Sequence, residues 1–154
     1  MVEQMHGTSG MKLLLVDDEE RFRTTLAKRL ADKGIDVTTL DSGVSALRYI
    51  LEHPVDVIVL DIKMPELDGI ETLKEIKKIN PGIEVILLTG HGSIDTAIVG
   101  MRLGAYDYLM KPCELEILLK KIIGAYAIKN TRDIRLVRAE MRSRLDKMEK
   151  SVRL

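Results

Sequence analysis

Short apolar runs alternate with segments of helical period along this chain, and no other feature of the sequence constrains the fold as strongly. Each apolar run has the length of a buried strand, and each following segment repeats its apolar residues at intervals of three or four. Strands that alternate with helices form parallel sheets with both faces covered. We therefore expect an α/β fold built on a doubly wound, five-stranded parallel sheet.

The predicted elements are bounded by glycines, prolines and capping residues. Gly34 and Gly104 follow two of the helices, Pro54 follows another, and Ser93 is a predicted N-cap. In the second helix we expect one face to carry Val44, Leu47, Ile50 and Leu51. The predicted strands are 12–16, 35–40, 55–60, 84–88 and 105–110, and the predicted helices are 19–34, 42–53, 69–80, 93–103 and 114–130.

The composition is that of a globular protein in a reducing compartment. Of 154 residues, 45% are hydrophobic and 31% are charged, and a core of this size needs no disulfide or structural metal. Cys113 is the only cysteine, which excludes an intramolecular disulfide. No apolar run approaches the roughly 20 residues of a membrane helix, and no signal peptide precedes Met11. We expect a cytoplasmic protein without membrane association.

The charge is unevenly distributed, and this suggests the domain boundaries. Residues 131–154 contain eight Lys or Arg and four Asp or Glu, so this segment carries +4 and the rest of the neutral chain carries −4. We expect a folded domain over 11–130 and an amphipathic helical tail or linker over 131–154. Residues 1–10 are predicted to be a flexible N-terminal extension.

Four of the five predicted strands end in polar or charged residues. These are Asp17 with Asp18, Asp61, Thr89 and Lys111. In open α/β sheets, ligands bind beyond the carboxyl ends of the strands, near the point where the strand order reverses. The second strand ends at Leu40-Asp41, and as an edge strand it would lie away from the site.

This set of residues suits phosphoryl transfer. Three neighbouring carboxylates repel one another unless a cation is bound, and an oxygen-rich anionic site suits Mg²⁺. Lys111 adds a positive charge, Thr89 adds a hydroxyl, and a carboxylate can form an aspartyl-phosphate. Taken singly, each has a simpler interpretation, such as a helix N-terminal acid pair or a Lys-Pro turn. Their joint placement favours a functional site.

Four motifs resemble those of the receiver (CheY-like) domains of two-component response regulators. The resemblance covers about residues 12–130 and implies a flavodoxin-like (βα)5 fold with strand order 2-1-3-4-5. The run from Thr89 to Lys111 is most similar to receivers of the NtrC class. The motifs are Leu15-Val16-Asp17-Asp18-Glu19, Asp61-Ile62-Lys63-Met64-Pro65-Glu66-Leu67-Asp68-Gly69, Leu88-Thr89-Gly90 and Tyr108-Leu109-Met110-Lys111-Pro112.

The resemblance implies a role for each residue of the site. Asp61 would accept a phosphoryl group from a sensor histidine kinase, assisted by Lys111 and Thr89. The implied ligands of Mg²⁺ are Asp18, Asp61 and the backbone carbonyl of Lys63, with Asp17 acting through the metal's water shell. The Lys111-Pro112 bond is expected to be cis.

The resemblance also implies a switch and two tuning positions. Thr89 would move toward the phosphoryl group and Tyr108 would turn inward, which changes the surface made by 93–103, 105–110 and 114–130. Lys63 and His91 would set the lifetime of the phosphoryl group. Without the family, the residues favour a half-buried strand aromatic as the interpretation of Tyr108, and His91 is equally well a solvent-facing loop residue. Cys113 is interpreted as inert.

Beyond Asn130 the helical pattern continues, and three interpretations stay open. The segment is an exposed or folded-back extension of the last helix, a parallel coiled-coil dimer or signalling linker with Arg144 breaking the heptad, or a nucleic-acid binder. A homodimer would form through this helix or through the switch surface, and no direct nucleic-acid contact is expected. The apolar positions are Ile134, Val137, Met141, Leu145, Met148 and Val152.

We expect a signalling module and not an enzyme that turns over an external substrate. Hydrolases with an aspartyl intermediate need a carboxylate two residues after the nucleophile, and that position is Lys63. One alternative is a phosphorylation-independent dimerisation domain. Another is the receiver fragment of a larger transcriptional activator, although this sequence contains neither a P-loop nor a helix-turn-helix pattern.

Overall fold

Five strands and five helices alternate in the computed structural model, which describes residues 8–63, 68–90 and 94–152. The order of the predicted elements is confirmed, and most of their ends shift by one or two residues. The strands are β1 (Lys12–Val16), β2 (Asp36–Leu40), β3 (Val57–Asp61), β4 (Glu84–Thr89) and β5 (Asp107–Met110). The helices are α1 (Glu20–Asp32), α2 (Gly43–Glu52), α3 (Gly69–Ile79), α4 (Ile94–Arg102) and α5 (Leu115–Val152).

The strands form one parallel sheet in the order β2-β1-β3-β4-β5, as predicted. The order reverses between β1 and β3, whose registers bring Val16 opposite Leu60. The residues that follow these two strands therefore meet at the same edge of the sheet. This edge is where an open α/β sheet binds its ligands.

Side chains of the central strands alternate between two hydrophobic cores, one on each face of the sheet. On one face, Leu14 and Ile58 pack with α2, α3 and α4. On the other face, Leu13 and Val57 pack with α1 and α5. Because both faces are covered, β3 and β4 are buried along their whole length, which explains their continuous apolar runs.

Most helix ends follow the predicted signals. Ser42 accepts a hydrogen bond from the backbone N–H of Ser45 at 3.1 Å and caps α2. Gly34 and Gly104 have φ of +86° and +105°, the left-handed conformation that ends α1 and α4 at little cost. The predicted cap Ser93 lies outside the described residues.

α5 is one continuous helix that runs well beyond the sheet. Lys129 pairs with Asp56 at 2.6 Å, and Arg132 pairs with the buried carboxylate of Glu84. Every residue from 134 to 152 is exposed, so the tail extends the last helix and does not fold back onto the domain. Within the described ranges, no helix is both long and apolar enough to cross a membrane.

Candidate functional site

Three carboxylates meet at the carboxyl ends of β1 and β3. Asp17 follows β1 and is fully buried, Asp61 ends β3 and is 5% exposed, and Asp18 is exposed. One oxygen of each carboxylate lies within 4.8 Å of the others. The two strands are neighbours in the sheet, and this pairing brings together residues that are far apart in sequence.

Lys111 supplies a positive charge to these carboxylates. It follows β5, and its Nζ lies 2.7 Å from Oδ2 of Asp17 and 3.6 Å from Oδ2 of Asp61. The Phe22 ring, 4.2 Å from Nζ, adds a cation–π contact. The Lys111–Pro112 bond is cis, as expected.

Backbone and side-chain donors hold Asp17 in place. Its Oδ1 accepts a hydrogen bond from the N–H of Glu19 at 2.9 Å, and its carbonyl oxygen accepts one from Arg23 at 2.7 Å. No motif in the sequence indicates a role at the site for Arg23 or for Phe22. Both lie on the first turn of α1 and face the site, but helical period alone does not separate such residues from ordinary surface or core positions.

Burial and like charge both act on Asp61. Burial, followed by the charge of Asp17, raises the pKa of the Asp61 carboxyl to about 6. Lys111 and the N–H of Lys63, which donates to Oδ1 at 3.2 Å, act in the opposite direction. Burial lowers the pKa of Lys111, but its hydrogen bond to Asp17 and the charge of Asp61 outweigh this, so the pKa of Lys111 is raised overall.

The donor set fits a magnesium ion. The carboxylate oxygens of Asp17, Asp18 and Asp61 are hard ligands gathered within 4.8 Å. Asp18 is exposed, so one side of the cluster faces solvent, as a metal that keeps several waters requires. A divalent cation would also relieve the repulsion that raises the pKa of Asp61.

The two predicted switch residues lie on neighbouring strands. Thr89 ends β4, is fully buried, and donates its hydroxyl to the carbonyl oxygen of Gly90 at 3.1 Å. Tyr108 on β5 is half-buried, packs against the α2–α4 core and lines a groove of about 500 Å³ between β5 and α5. Lys63 is exposed, and His91 lies outside the described residues.

A match to a known protein family shows which kind of protein carries this site. The family described as "Response regulator receiver domain" matches residues 13–123. This chain belongs to the response regulator receiver family. Members of this family are phosphoacceptors and not enzymes in the usual sense, and the receiver's cluster of Asp17, Asp18 and Asp61 is typical of their phosphorylation site.

Several curated relatives of the receiver are described as transcriptional regulatory proteins. ZraR of Klebsiella oxytoca is 42% identical over 104 residues, which is 68% of this chain and 24% of the relative. GlrR of Escherichia coli K12 is 39% identical over 113 residues, covering 73% of this chain and 26% of the relative. The chain thus spans about a quarter of the length of these relatives.

Solved receiver domains share the fold. A receiver from Clostridium thermocellum has a TM-score of 0.76 at 40% identity, covering 79% of this chain and 98% of that one. The receiver domain of NtrX from Brucella abortus has a TM-score of 0.72 at 37% identity, covering 75% and 98%. Each match covers nearly the whole length of the solved chain.

Gly69 supports the site in a way that the motif in the sequence does not explain. A Cβ at this position would lie 2.5 Å from the carbonyl oxygen of Asp61 and 2.6 Å from Cα of Ile62. Backbone atoms at these distances leave no room for a side chain. Glycine therefore allows α3 of the receiver to begin directly against the end of β3.

Asp61→Asn should stabilise the metal-free receiver at neutral pH. The pKa of Asp61 rises from 3.8 to about 6 on folding, so between these values the folded protein holds a proton that the unfolded chain has lost. The contribution of Asp61 to stability therefore falls as pH rises from about 4 to about 6. We expect the variant to gain about 1–3 kcal/mol at pH 7 in EDTA and almost nothing near pH 4.

Urea unfolding of the parent receiver and of Asp61→Asn between pH 4 and pH 7 measures this gain in stability. Asp41→Asn, which removes an exposed carboxylate, is the control and should change the free energy of unfolding by less than about 0.5 kcal/mol. A gain that is the same at both pH values would contradict the raised pKa.

Proposed function

We propose that this receiver accepts a phosphoryl group on Asp61 from a sensor histidine kinase and switches the surface formed by α4, β5 and α5. The convergence of three carboxylates with Lys111 carries this proposal. Both oxygens of Asp17 are engaged, one by Glu19 and the other by Lys111. The Oδ2 of Asp61 lies 3.6 Å from Lys111, so it is the better nucleophile of the two buried carboxylates.

The reaction transfers the phosphoryl group from nitrogen to oxygen. An oxygen of Asp61 attacks the phosphorus of the phosphohistidine, the P–N bond breaks, and the imidazole leaves with its electron pair and takes up a proton. Lys111 neutralises charge on the phosphoryl oxygens. Asp18, Asp61 and the backbone carbonyl of Lys63 would hold Mg²⁺, with Asp17 acting through the water shell of the metal, and the ion would supply further charge neutralisation at these oxygens.

The switch begins at Thr89. Its hydroxyl would leave the carbonyl oxygen of Gly90 and donate to a phosphoryl oxygen. The carbonyl oxygen of Thr89 accepts a hydrogen bond from the N–H of Lys111 at 2.8 Å, which couples the ends of β4 and β5. Tyr108 turns inward from β5, and the groove that it lines with Ile117 and Lys121 changes shape for a partner.

Lys63 and His91 set the lifetime of the aspartyl-phosphate by screening it from water. Lys63 is two residues from Asp61 and exposed, which allows its side chain to cover the acceptor. Replacing both residues with alanine should change the dephosphorylation rate severalfold, measured by the loss of phosphoryl mass with time. Lys74→Ala, a substitution of an exposed residue on α3, is the control, and an unchanged rate in the double variant would contradict this role.

Intact-mass spectrometry with acetyl phosphate tests the proposed function. We expect one added phosphoryl mass per chain with Mg²⁺ and none with EDTA. A receiver of known activity, treated in parallel, controls for the phosphodonor. If only that control were modified, the chain would be better explained as a phosphorylation-independent interaction domain.

The length of the relatives favours a second proposal, which concerns a polypeptide longer than this chain. Because the chain spans about a quarter of regulators such as ZraR and GlrR, we propose that it acts as the receiver of a larger transcriptional activator. An antibody raised against α5 would measure the length of the polypeptide in source cells. A band at the length of the 154-residue chain alone would reject this assignment.

A further inference from the structure

The tail of α5 carries an apolar row that its own domain leaves uncovered. Side chains of this row are between 45% exposed, at Ile134, and 84% exposed, at Val152. A helix with such a row ordinarily buries it against a partner. The row consists of Ile134, Val137, Met141, Leu145, Met148 and Val152.

The row repeats every eleven residues and not every seven. Ile134, Val137 and Met141 recur as Leu145, Met148 and Val152, each exactly one repeat later in the numbering. An eleven-residue repeat has about 3.67 residues per turn, so two such helices pair almost straight or with a slight right-handed supercoil. In an eleven-residue repeat, Arg144 lies beside the apolar row and not in it. It therefore no longer interrupts the apolar pattern, as it does in a seven-residue repeat.

Charges beside the row are complementary to those of a second copy. Asp133, which also pairs with Lys129 of its own helix, and Arg138 flank the row five positions apart. Arg144, which also pairs with Glu140 of its own helix, and Glu149 repeat this spacing eleven residues later with the signs exchanged. In a parallel, in-register pair, flanking residues five positions apart on opposite helices face each other. Both repeats would then place unlike charges across the interface, twice in a symmetric dimer.

Ion pairs fix the direction and rotation of the tail. Lys129 lies 2.6 Å from both Asp56 and Asp133, and Arg132 pairs with Glu84, whose side chain is 5% exposed. These contacts hold about one turn of α5 against the amino ends of β3 and β4. The tail therefore leaves the domain as a preformed helix, which removes the nucleation cost that makes short isolated helices marginal.

The rotation of α5 determines which side of the receiver the second copy approaches. Eighteen residues make about five turns, so Ile134 and Met141 lie on the same line as Glu116 and Ile123. Glu116 pairs with Lys33 at the end of α1, at 3.7 Å. The row is therefore continuous with the α1 side of the domain.

The switch surface lies on another side of the same helix. Lys121 pairs with Asp107 of β5, and Ile117 lines the groove beside Tyr108. These positions are turned well away from the line of Glu116 and Ile123. A partner on the row would leave the groove open.

We propose that the tail pairs with a second copy of this chain as a parallel, in-register dimer on the α1 side, formed without phosphorylation. The α4–β5–α5 surface stays free in this dimer, so assembly and switching use different faces of the receiver. The inference does not rest on Asp61 as acceptor, and its tests use the unphosphorylated chain.

Two leucine substitutions in the full chain test the row directly. Leu145 is 62% exposed and lies in the row, whereas Leu136 is 69% exposed and lies on the side of α5 that continues from Leu118. Sedimentation equilibrium should show a dimer for the parent and for Leu136→Asn. Leu145→Asn should raise the dissociation constant by about a hundredfold or more. A monomeric parent, or equal effects of the two variants, would overturn the proposal.

Cross-linking tests the orientation and register. In a Cys113→Ser background, Ile134→Cys should form a disulfide-linked dimer on mild oxidation, because Ile134 meets its own copy only in a parallel pair. Leu136→Cys is the matched control and should cross-link at least about tenfold more slowly. Arg144→Glu should weaken the dimer, and adding Glu149→Arg should restore it. Failure of Ile134→Cys to cross-link, or no restoration, would overturn the parallel arrangement.

Discussion

Asp61→Asn is expected to abolish phosphorylation, with incorporation falling at least about a thousandfold below the parent receiver. An amide nitrogen or oxygen is a poor nucleophile and cannot give a stable acyl phosphate. Because Asp61 is buried and its neighbour Asp17 is held by Glu19 and Lys111, no other buried carboxylate is free to replace it in the cluster that the structure describes. Intact-mass spectrometry after treatment with acetyl phosphate and Mg²⁺ measures the loss.

Asp18→Asn separates the loss of the nucleophile from the loss of a metal ligand. Asp18 is exposed and belongs to the same carboxylate cluster, so its amide variant keeps Asp61 available. We expect this variant to accept the phosphoryl group but to need a higher Mg²⁺ concentration. Phosphorylation of Asp61→Asn at the yield of the parent would mean that the acceptor is misassigned.

Lys111→Met should produce the largest loss of stability at the site. Its ammonium group lies 2.7 Å from the fully buried carboxylate of Asp17, and methionine keeps the length of the side chain without the charge. The charge left on Asp17 has no equivalent partner. Since 19% of the Lys111 side chain is exposed, we expect a loss of about 2–4 kcal/mol in EDTA, somewhat below the full cost of breaking a buried pair.

Magnesium and a matched variant make this prediction specific. Mg²⁺ should recover part of the stability of Lys111→Met, because the cation neutralises the same carboxylates. Lys121→Met removes a comparable ion pair with Asp107 on a more exposed surface and should cost about 0–1 kcal/mol. Urea unfolding measures both variants, and equal losses would show that Lys111 acts only as a surface charge.

The fold was predictable because local and global signals agree. β3 and β4 read as continuous apolar runs, and they are buried on both faces of the sheet. Asp61 and Thr89 end these strands, and parallel pairing brings them to one edge, as expected. For such residues, position in the strand is enough to place them at the site.

Other features depend on packing that period alone does not reveal. Leu51 was expected on the buried face of α2, but it is 67% exposed, and Val44 is 38% exposed. Ile50 is buried as expected and Ala46 joins it in the core, whereas Leu51, one position beyond Ile50, is turned by about 100° from it. A short run of apolar residues does not show which of them faces the sheet.

Long-range ion pairs also could not be predicted from the sequence. The pairs of Lys129 with Asp56 and of Arg132 with Glu84 join residues separated by much of the chain. In sequence these cations look like part of a solvated, basic tail. Only the folded structure shows that these two residues hold α5 at the amino ends of β3 and β4.

The most direct measurement of the central claim is to locate the phosphoryl group chemically. Treating the phosphorylated chain with borohydride reduces an aspartyl-phosphate to homoserine, and peptide mass spectrometry then identifies the position. Homoserine at position 61, formed only after phosphorylation with Mg²⁺, is the predicted result. Homoserine at position 17 or 18, or phosphorylated chain without homoserine, would contradict the assignment of Asp61 as the phosphoacceptor.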